Sequence, residues 1–110
     1  MLFEFDKSTL TPEAEKTLAV AVEALQAQDG RSLSIAGHTD TQGQADSNLQ
    51  LSRDRAEAVA DALREALGGG WSFDVTGHGE EQPLAEETGS AEEIEAAQAR
   101  NRRVEVTVAP

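Results

Sequence analysis

One arginine restricts how this chain can fold. In the stretch "NLQLSRDRAEAVADAL", Arg55 stands four residues after Leu51 and four before Val59. Residues at positions i and i+4 share one face of a helix, so the guanidinium lies on or beside the row that should pack inward. Leaving such a charge buried without a partner costs about 3–5 kcal/mol. The fold must therefore bring a carboxylate or several oxygen acceptors to this helix.

The loop in front of this helix contains one candidate partner. Asp40 lies in the segment "HTDTQGQAD", and this loop is long enough to fold back onto the first two turns of the helix. A structural Asp40–Arg55 ion pair is one interpretation. The other is a ligand site in which Asp40 holds an ammonium group and Arg55 holds a carboxylate, the two charges of an amino-acid head group. Charge and spacing leave both interpretations open.

Hydrophobic periodicity predicts an α+β fold with the order β-α-β-α-β-(short α)-β. Four short strands are expected, at "LFEF" (Leu2–Phe5), "SLSIAG", "WSFDVTGHG" and "RRVEVTV". The side chains expected to point inward are Leu33, Ile35, Phe73 and Val75. Phe3 and Phe5 share one face of the first strand, and Val104, Val106 and Val108 share one face of the last. We expect one four-stranded mixed sheet with the helices packed on one face, which is an α/β sandwich.

Capping residues indicate where the two long helices begin and end. Thr11 and Pro12 are expected to begin the first helix, and "DG" at positions 29 and 30 to end it. Ser47 and Gln50 have the spacing of a capping box, so the second helix is expected to begin near Asn48. The "GGG" stretch should end it.

Composition limits the class of protein. The 110 residues are enough for one domain spanning 1–110, and strand-like residues directly after Met1 indicate a domain excised from a larger protein. The net charge of −12, from 21 acidic and 9 basic residues, makes nucleic acid and anionic lipid poor partners. No segment approaches the roughly 20 apolar residues of a membrane span. The chain has no cysteine, which excludes disulfides and thiol nucleophiles.

Acidic residues are concentrated in one region. From Glu65 to Ala99 the chain has no Lys or Arg. We interpret this region as a solvated acidic face, with an acidic docking site as the alternative. Within it, Glu80–Ser90 is predicted to be a loop, and Ala91–Ala99 to make one or two helical turns.

The segment "GHTDTQGQADSNLQLSRDRA" resembles the signature of the OmpA-like peptidoglycan-binding domain, which is found in OmpA, Pal and MotB proteins. The family pattern G-H-T-D-x-x-G, then N-x-x-L-S-x-x-R-A, is matched here by Gly37, His38, Thr39, Asp40, Gly43, Asn48, Leu51, Ser52, Arg55 and Ala56. The stretches "FEFDKSTLTPEA", "GHGEEQP" and "ARNRRVEVTV" resemble other family motifs and occur in the family's order. The resemblance covers nearly the whole chain.

This resemblance implies non-covalent binding of peptidoglycan through the diaminopimelate of its stem peptide, which keeps a free ammonium and a free carboxylate. Asp40 and Arg55 would be the principal contacts, and Arg102 would either face the same cleft or, like Arg103, pair with the acidic loop. The full set of binding residues carried over by motif is Asp40, Arg55, Asp6, Asn48, Thr39, Thr41, Leu51 and Arg102. Two glutamates, Glu86 and Glu87, stand where the family often has an asparagine, and the segment from Pro83 to Asn101 is longer than usual. Both departures concern the rim of the site.

The resemblance also implies a location in the periplasm or extracytoplasmic cell envelope. The domain would be tethered to the cell wall, with the parent protein in the outer membrane as one option. It implies a binding module rather than an enzyme, with no cofactor, no metal and no membrane contact of its own. A monomer or weak homodimer is expected. The alternative function is a dimerisation or scaffold domain of the same fold that binds no ligand, with the alanine-rich first helix as the dimer face.

Other chemistry is less well supported by the sequence. His38 and His78 lie among many carboxylates, but their spacing matches no metal-binding motif. Ser52, His38 and Asp40 could be proposed as a hydrolase triad, yet "LSRDR" lacks the glycines that flank a nucleophile elbow. Trp71 could stack on a sugar, although an aromatic beside a strand is more often at the edge of the core.

Overall fold

The computed structural model describes residues 3, 7–27 and 32–108. In chain order its elements are α1 (Pro12–Gln26), β1 (Ser32–Gly37), α2 (Ala45–Leu67), β2 (Ser72–Gly77), α3 (Ala91–Asn101) and β3 (Val104–Val108). The α+β class and the order of these elements agree with the sequence prediction. No helix in these described ranges is long and apolar enough to cross a membrane.

The strands form a mixed sheet in the order β2-β1-β3. Strand β1 runs parallel to β2 and antiparallel to β3. It is therefore the central strand, and Leu33 and Ile35, which were predicted to point inward, are completely buried. Fully burying such a side chain stabilises the fold by about 1.5–3 kcal/mol.

The sheet of the described residues has three strands, so the four strands of the prediction are not matched there. Of the expected first strand, Leu2–Phe5, only Phe3 is described, and it is buried; the rest of this strand lies outside the described residues. The N–H of Phe3 donates to the carbonyl of Arg102 at 2.7 Å. The carbonyl of Phe3 accepts from Nε of the Arg102 side chain at 3.0 Å. Both bonds hold Phe3 beside the residues that lead into β3.

Helix α1 begins as the sequence predicts. Pro12 is its first residue, and the Thr11 hydroxyl accepts a hydrogen bond from the N–H of Ala14 at 3.0 Å. This bond satisfies one of the N–H groups that have no partner within the helix. The expected terminator at positions 29 and 30 lies outside the described residues, and the helix closes at Ala27.

Helix α2 begins at Ala45, so the predicted start near Asn48 is wrong. The N–H of Asn48 already donates to the carbonyl of Gln44 at 3.0 Å, which places Asn48 in the first turn. The side chain of Gln50 bonds to Asp54 at 2.8 Å rather than back to Ser47. Spacing alone therefore suggested a capping box that does not form. The helix ends at Leu67, before the three glycines, as predicted.

Helix α2 packs against all three strands, and α1 packs against α2. The buried apolar core consists of Phe3, Leu25, Leu33, Ile35, Ala56, Val59, Ala60, Leu63 and Val104. Two strand ends let α2 approach closely because they carry glycine. A Cβ added at Gly37 would collide with the carbonyl oxygen of Ser52, and one at Gly77 would lie 2.7 Å from the N atom of Arg53. This approach brings the first turns of α2 directly over the loop that follows β1.

Helix α3 is longer than the one or two turns expected. It runs from Ala91 to Asn101, and Ser90 and Glu93 form a reciprocal capping box at its start. At its end, the buried Asn101 side chain bonds to the preceding acidic loop. These two fixed ends stabilise a helix that spacing alone did not delimit.

Candidate functional site

Asp40 lies in the loop directly after β1 and is buried, with 3% of its surface exposed. Its carboxylate accepts from the N–H and the side-chain amide of Gln42, at 2.9 Å and 3.0 Å. Nη1 of Arg102 lies 3.0 Å from Oδ2 and forms an ion pair with it. Asp40 is therefore a desolvated carboxylate held by donors from its own loop and by one arginine from the end of α3.

Arg55 is completely buried in the first half of α2. Its Nε donates to the carbonyl of Lys7 at 2.7 Å and its Nη1 to the carbonyl of His38 at 3.0 Å. The guanidinium carbon lies 5.4 Å from the centre of the Phe3 ring. The sequence argument that this arginine needs oxygen acceptors is confirmed.

The interpretation of Asp40 and Arg55 as a structural ion pair is wrong, because Asp40 pairs with Arg102. The physical reason is the placement of the two guanidinium groups. Among the described contacts, Arg55 donates to the main-chain carbonyls of Lys7 and His38. Arg102 is anchored through Nε to Phe3 and reaches Asp40 with Nη1. The alternative pairing of Arg102 with the acidic loop is also wrong; Arg103 is the one that reaches this loop, through the Gln82 carbonyl at 3.1 Å.

These charged groups lie in the wall of a cavity of about 210 Å³. Of the predicted binding residues, the structure brings six together around it, namely Thr39, Asp40, Asn48, Leu51, Arg55 and Arg102. Thr41 is exposed and does not line the cavity; its hydroxyl lies 2.6 Å from Glu87. Asp6 lies outside the described residues.

Four residues of the lining were missed by sequence reasoning, namely Gln42, Gly43, Gln44 and Ser47. All four belong to the segment that connects Asp40 to Asn48. The signal available in the sequence was their position: residues of a short loop between two binding residues tend to line the space that the loop encloses.

We call Asp40, Arg55 and Arg102, the charged residues of this wall, the cavity cluster.

Asn48 ties the loop to its surroundings. Its side-chain N–H groups donate to the carbonyl of Gln42 and to Oε1 of Glu80, both at 3.0 Å. The Thr39 hydroxyl donates to the carbonyl of Asp40 at 2.8 Å. These bonds fix the loop at both of its ends, so that the Asp40 carboxylate is preorganised.

The acidic loop is held against the site by Asn101 and Glu87. The buried Asn101 carbonyl oxygen accepts from the N–H groups of Leu84 and Ala85, and its amide donates to the Ala85 carbonyl and to Glu87. Glu87 in turn accepts from the N–H and the hydroxyl of Thr41. The glutamate at this unusual position thus fastens the long loop to the segment that carries Asp40.

A second polar group lies beside the cavity cluster, and we call His38, His78, Arg103 and Glu105 the histidine cluster. His38 is 2% exposed and stacks on His78, with ring centres 5.1 Å apart. Within the described ranges neither of its ring nitrogens makes a hydrogen bond. Burial, followed by the positive charge of Arg103, lowers the pKa of His38 from 6.5 to about 4. The hydrogen bond from Arg103 lowers the pKa of Glu105.

Neither alternative chemistry gains support from this geometry. Among the described residues, no three His, Cys, Asp or Glu side chains are grouped so that they could hold a metal. The hydroxyl of Ser52 is buried, donates to the Leu49 carbonyl at 2.8 Å and accepts from the N–H of Gly79 at 2.9 Å. Ser52 therefore fixes the start of α2 to the end of β2, which is a structural role.

Proteins that are similar to this chain in sequence and in structure point to one family. The model of the OmpA family matches residues 2–104. The chain is 36% identical to a peptidoglycan-associated lipoprotein of Legionella pneumophila over 94% of its own length and 56% of that protein. The crystal structure of the peptidoglycan-associated lipoprotein from Burkholderia pseudomallei superposes with a TM-score of 0.83 at 30% identity, covering 98% of this chain and 87% of the other. The cell wall anchor of the type VI secretion system from Pseudomonas aeruginosa has a TM-score of 0.73 at 33% identity, covering 97% and 73%.

The relatives are cell-envelope proteins by name, and they include outer-membrane lipoproteins and outer membrane porins. The expected extracytoplasmic envelope location agrees with these names. The chain spans little more than half the length of the lipoproteins that it matches.

Proposed function

The chain belongs to the OmpA family, and we propose that it binds peptidoglycan non-covalently through the diaminopimelate of the stem peptide. The observation that carries this proposal is the cavity cluster. A desolvated carboxylate and two guanidinium groups lie in the wall of one small cavity. An ammonium would bind at Asp40, and a carboxylate at the guanidinium groups of Arg55 and Arg102.

The size of the cavity supports a ligand fragment rather than a whole muropeptide. Its volume of about 210 Å³ is below the roughly 300–1,000 Å³ of pockets that enclose drug-sized molecules. It suits the zwitterionic end of one side chain, with Leu51 contacting the aliphatic part. The remaining stem peptide and the glycan would lie outside, over the loop that carries Thr41.

We expect the affinity for a single stem peptide to lie between micromolar and millimolar. Charge-assisted hydrogen bonds contribute about 1.5–3 kcal/mol each, and immobilisation of the ligand offsets part of this gain. The cell wall presents many copies of the peptide, so that several weak sites on one parent protein or assembly would hold it firmly. The domain would in this way anchor a larger envelope protein, and it would bind without performing chemistry.

A scaffold function without ligand binding is the second candidate. It is favoured by one observation, the 69% exposure of Val20 on the alanine-rich helix α1. If it holds, the molar mass in solution should rise with protein concentration, and the Val20→Lys variant should remain monomeric.

Sedimentation with purified diaminopimelate-containing peptidoglycan tests the proposed function. Asp40→Asn removes the charge of the proposed ammonium site, and Asp74→Asn makes the same change at an exposed position of β2. Arg55→Lys removes the planar guanidinium, and Arg53→Lys makes the same change on the same helix at a side chain that is 56% exposed. Each variant is first checked for folding by circular dichroism.

We expect the wild type and both control variants to sediment with the wall, while Asp40→Asn and Arg55→Lys stay in solution. Binding should also weaken as salt is added, since the contacts are ionic. If the folded Asp40→Asn variant sediments like the wild type, the zwitterion site is refuted. If the wild type itself stays in solution, the scaffold function becomes the better account.

A further inference from the structure

Asp40 already has a cationic partner at the place where the ammonium of the ligand must bind. Nη1 of Arg102 lies 3.0 Å from Oδ2, and the exposed fractions of the two side chains are 16% for Arg102 and 4% for Asp40. Gln42 donates two further hydrogen bonds to the same carboxylate. An ionised carboxylate offers about four acceptor positions. Protein donors therefore take most of the capacity of Asp40 before any ligand arrives.

Arg102 is held in this position by its own main chain and side chain. Its N–H donates to the carbonyl of Gln98 at 3.2 Å at the end of α3, and its carbonyl accepts from the N–H of Phe3. Its Nε donates to the carbonyl of Phe3 at 3.0 Å. The guanidinium is thus presented to Asp40 from a backbone that is itself held by hydrogen bonds.

We propose that Arg102 makes the site selective for zwitterions, because an ammonium can share Asp40 only when a carboxylate arrives with it to compensate Arg102. The proposal rests on the proposed function and adds the residue that sets its specificity. An ammonium alone meets a carboxylate whose charge is already balanced, in a wall that also contains Arg55. Drawing Asp40 away from Arg102 would leave a poorly hydrated guanidinium without its counter-ion, which is unfavourable.

A zwitterion avoids this penalty. Its carboxylate can bind the guanidinium of Arg102 while its ammonium binds Asp40, so that positive and negative groups alternate around the cavity. Specificity then arises from a repulsive element that acts against the wrong ligand, as well as from attraction to the right one. The ligands selected are stem peptides whose third residue keeps both groups free. Peptides with lysine at this position, or with an amidated carboxylate, are disfavoured.

The test compares two tripeptides that differ by a single carboxylate, L-Ala-γ-D-Glu-meso-diaminopimelate and L-Ala-γ-D-Glu-L-Lys. Their dissociation constants are measured by NMR titration for the wild type, Arg102→Gln and Arg100→Gln. Arg100 is the matched control, since it is an exposed arginine on α3 two residues away. We expect the wild type and Arg100→Gln to prefer the diaminopimelate peptide by about tenfold or more. In Arg102→Gln this preference should fall by at least about fivefold, because the lysine peptide no longer competes with a guanidinium for Asp40.

The outcomes separate this inference from the proposed function. If the wild type prefers the diaminopimelate peptide and folded Arg102→Gln keeps the same ratio, the role of Arg102 is overturned and the binding function stands. If the wild type binds neither peptide, both proposals fall. If Arg102→Gln does not fold, the same titrations with Arg102→Lys test the role of Arg102. Retention of the preference within about twofold supports charge compensation, and its loss with the positive charge in place contradicts it.

Discussion

The cavity cluster and the histidine cluster are built from neighbouring residues and use them in opposite ways. Both start in the segment "GHTD", where His38 and Asp40 stand two positions apart. Asp40 lies in the wall of a cavity and forms an ion pair with Arg102. His38 stacks on His78, its ring makes no hydrogen bond to any other described residue, and burial keeps it neutral by lowering its pKa.

The difference shows which buried polar groups are prepared for a ligand. The charges of the cavity cluster face a space that a small zwitterion could fill. Those of the histidine cluster pair with the protein itself: Arg103 is buried and reaches Glu105 at 2.6 Å and the Gln82 carbonyl at 3.1 Å, while Glu105 lies half exposed at the surface. The clusters are connected, since the carbonyl of His38 accepts from Arg55. We therefore interpret the histidine cluster as the support of the cavity cluster.

The largest effect is expected from a change that disrupts both clusters together. Gly37→Ala places a Cβ against the Ser52 carbonyl, which belongs to the backbone of α2 and cannot move aside. The helix must shift away from β1, so we expect the free energy of unfolding to fall by at least about 3 kcal/mol. Gly69→Ala is the matched control, because nothing lies within 4 Å of its Cβ. Urea denaturation of both variants measures the difference, and equal stabilities would contradict the close approach of α2.

Acidification should act on the histidine cluster through the protonation of His38. Its pKa is about 4 in the folded state and 6.5 for the ordinary group, so the unfolded chain binds the extra proton first as the pH falls. Stability is therefore complete above about pH 6.5 and is lost as the pH falls toward 4, by about 3 kcal/mol in all.

The measurement is the free energy of unfolding at several values between pH 7 and pH 5, where carboxylates contribute least. The slope should be clear in the wild type and in His78→Gln, whose histidine is partly exposed, and reduced in His38→Gln. If the free energy of unfolding of His38→Gln depends on pH as strongly as that of the wild type, a group other than His38 causes the dependence.

The two carboxylate–arginine pairs should differ in their contribution to stability. Asp40 is buried, and its neutralisation in Asp40→Asn leaves Arg102 without its counter-ion, which we expect to cost about 2 kcal/mol. Glu105 is 51% exposed, and Glu105→Gln should cost less than about 1 kcal/mol because water screens the pair. Parallel urea titrations give both values. A larger loss of stability in Glu105→Gln than in Asp40→Asn would contradict this comparison of the two pairs.

The smallest effect is expected at the rim of the cavity. Thr41→Val removes the hydroxyl that donates to Glu87 at 2.6 Å, an exposed bond that contributes about 0.5–1 kcal/mol. Thr107→Val on β3 is the control for the loss of a hydroxyl at an exposed position. Amide hydrogen exchange should show faster exchange of the 84–87 loop in Thr41→Val alone. Unchanged exchange would show that Asn101 holds this loop without Thr41.

Much of the fold follows from local patterns in the sequence. Alternation predicted β1 and the burial of Leu33 and Ile35, and the pair Thr11–Pro12 predicted the start of α1. The helical spacing of Arg55 correctly predicted a buried arginine that needs acceptors. Each of these features is decided by residues that are close together in the chain.

Features decided by distant residues were not predictable in this way. The partner of Asp40 is Arg102, from the other end of the chain, and no local periodicity relates the two. The start of α2 depends on how the preceding loop packs, which the spacing of Ser47 and Gln50 does not record. The role of Glu87 was visible only as a departure from the family pattern until the structure showed its contacts with Thr41 and Asn101.

The central claim is that the ligand binds at the cavity cluster and leaves the histidine cluster in place. NMR titration of the ¹⁵N-labelled wild-type chain with L-Ala-γ-D-Glu-meso-diaminopimelate tests it most directly. We expect saturable shifts at Asp40, Asn48 and the side chains of Arg55 and Arg102, with small shifts at His78 and Glu105. Shifts that centre on the histidine cluster, or an absence of saturable shifts up to millimolar peptide, would contradict this account.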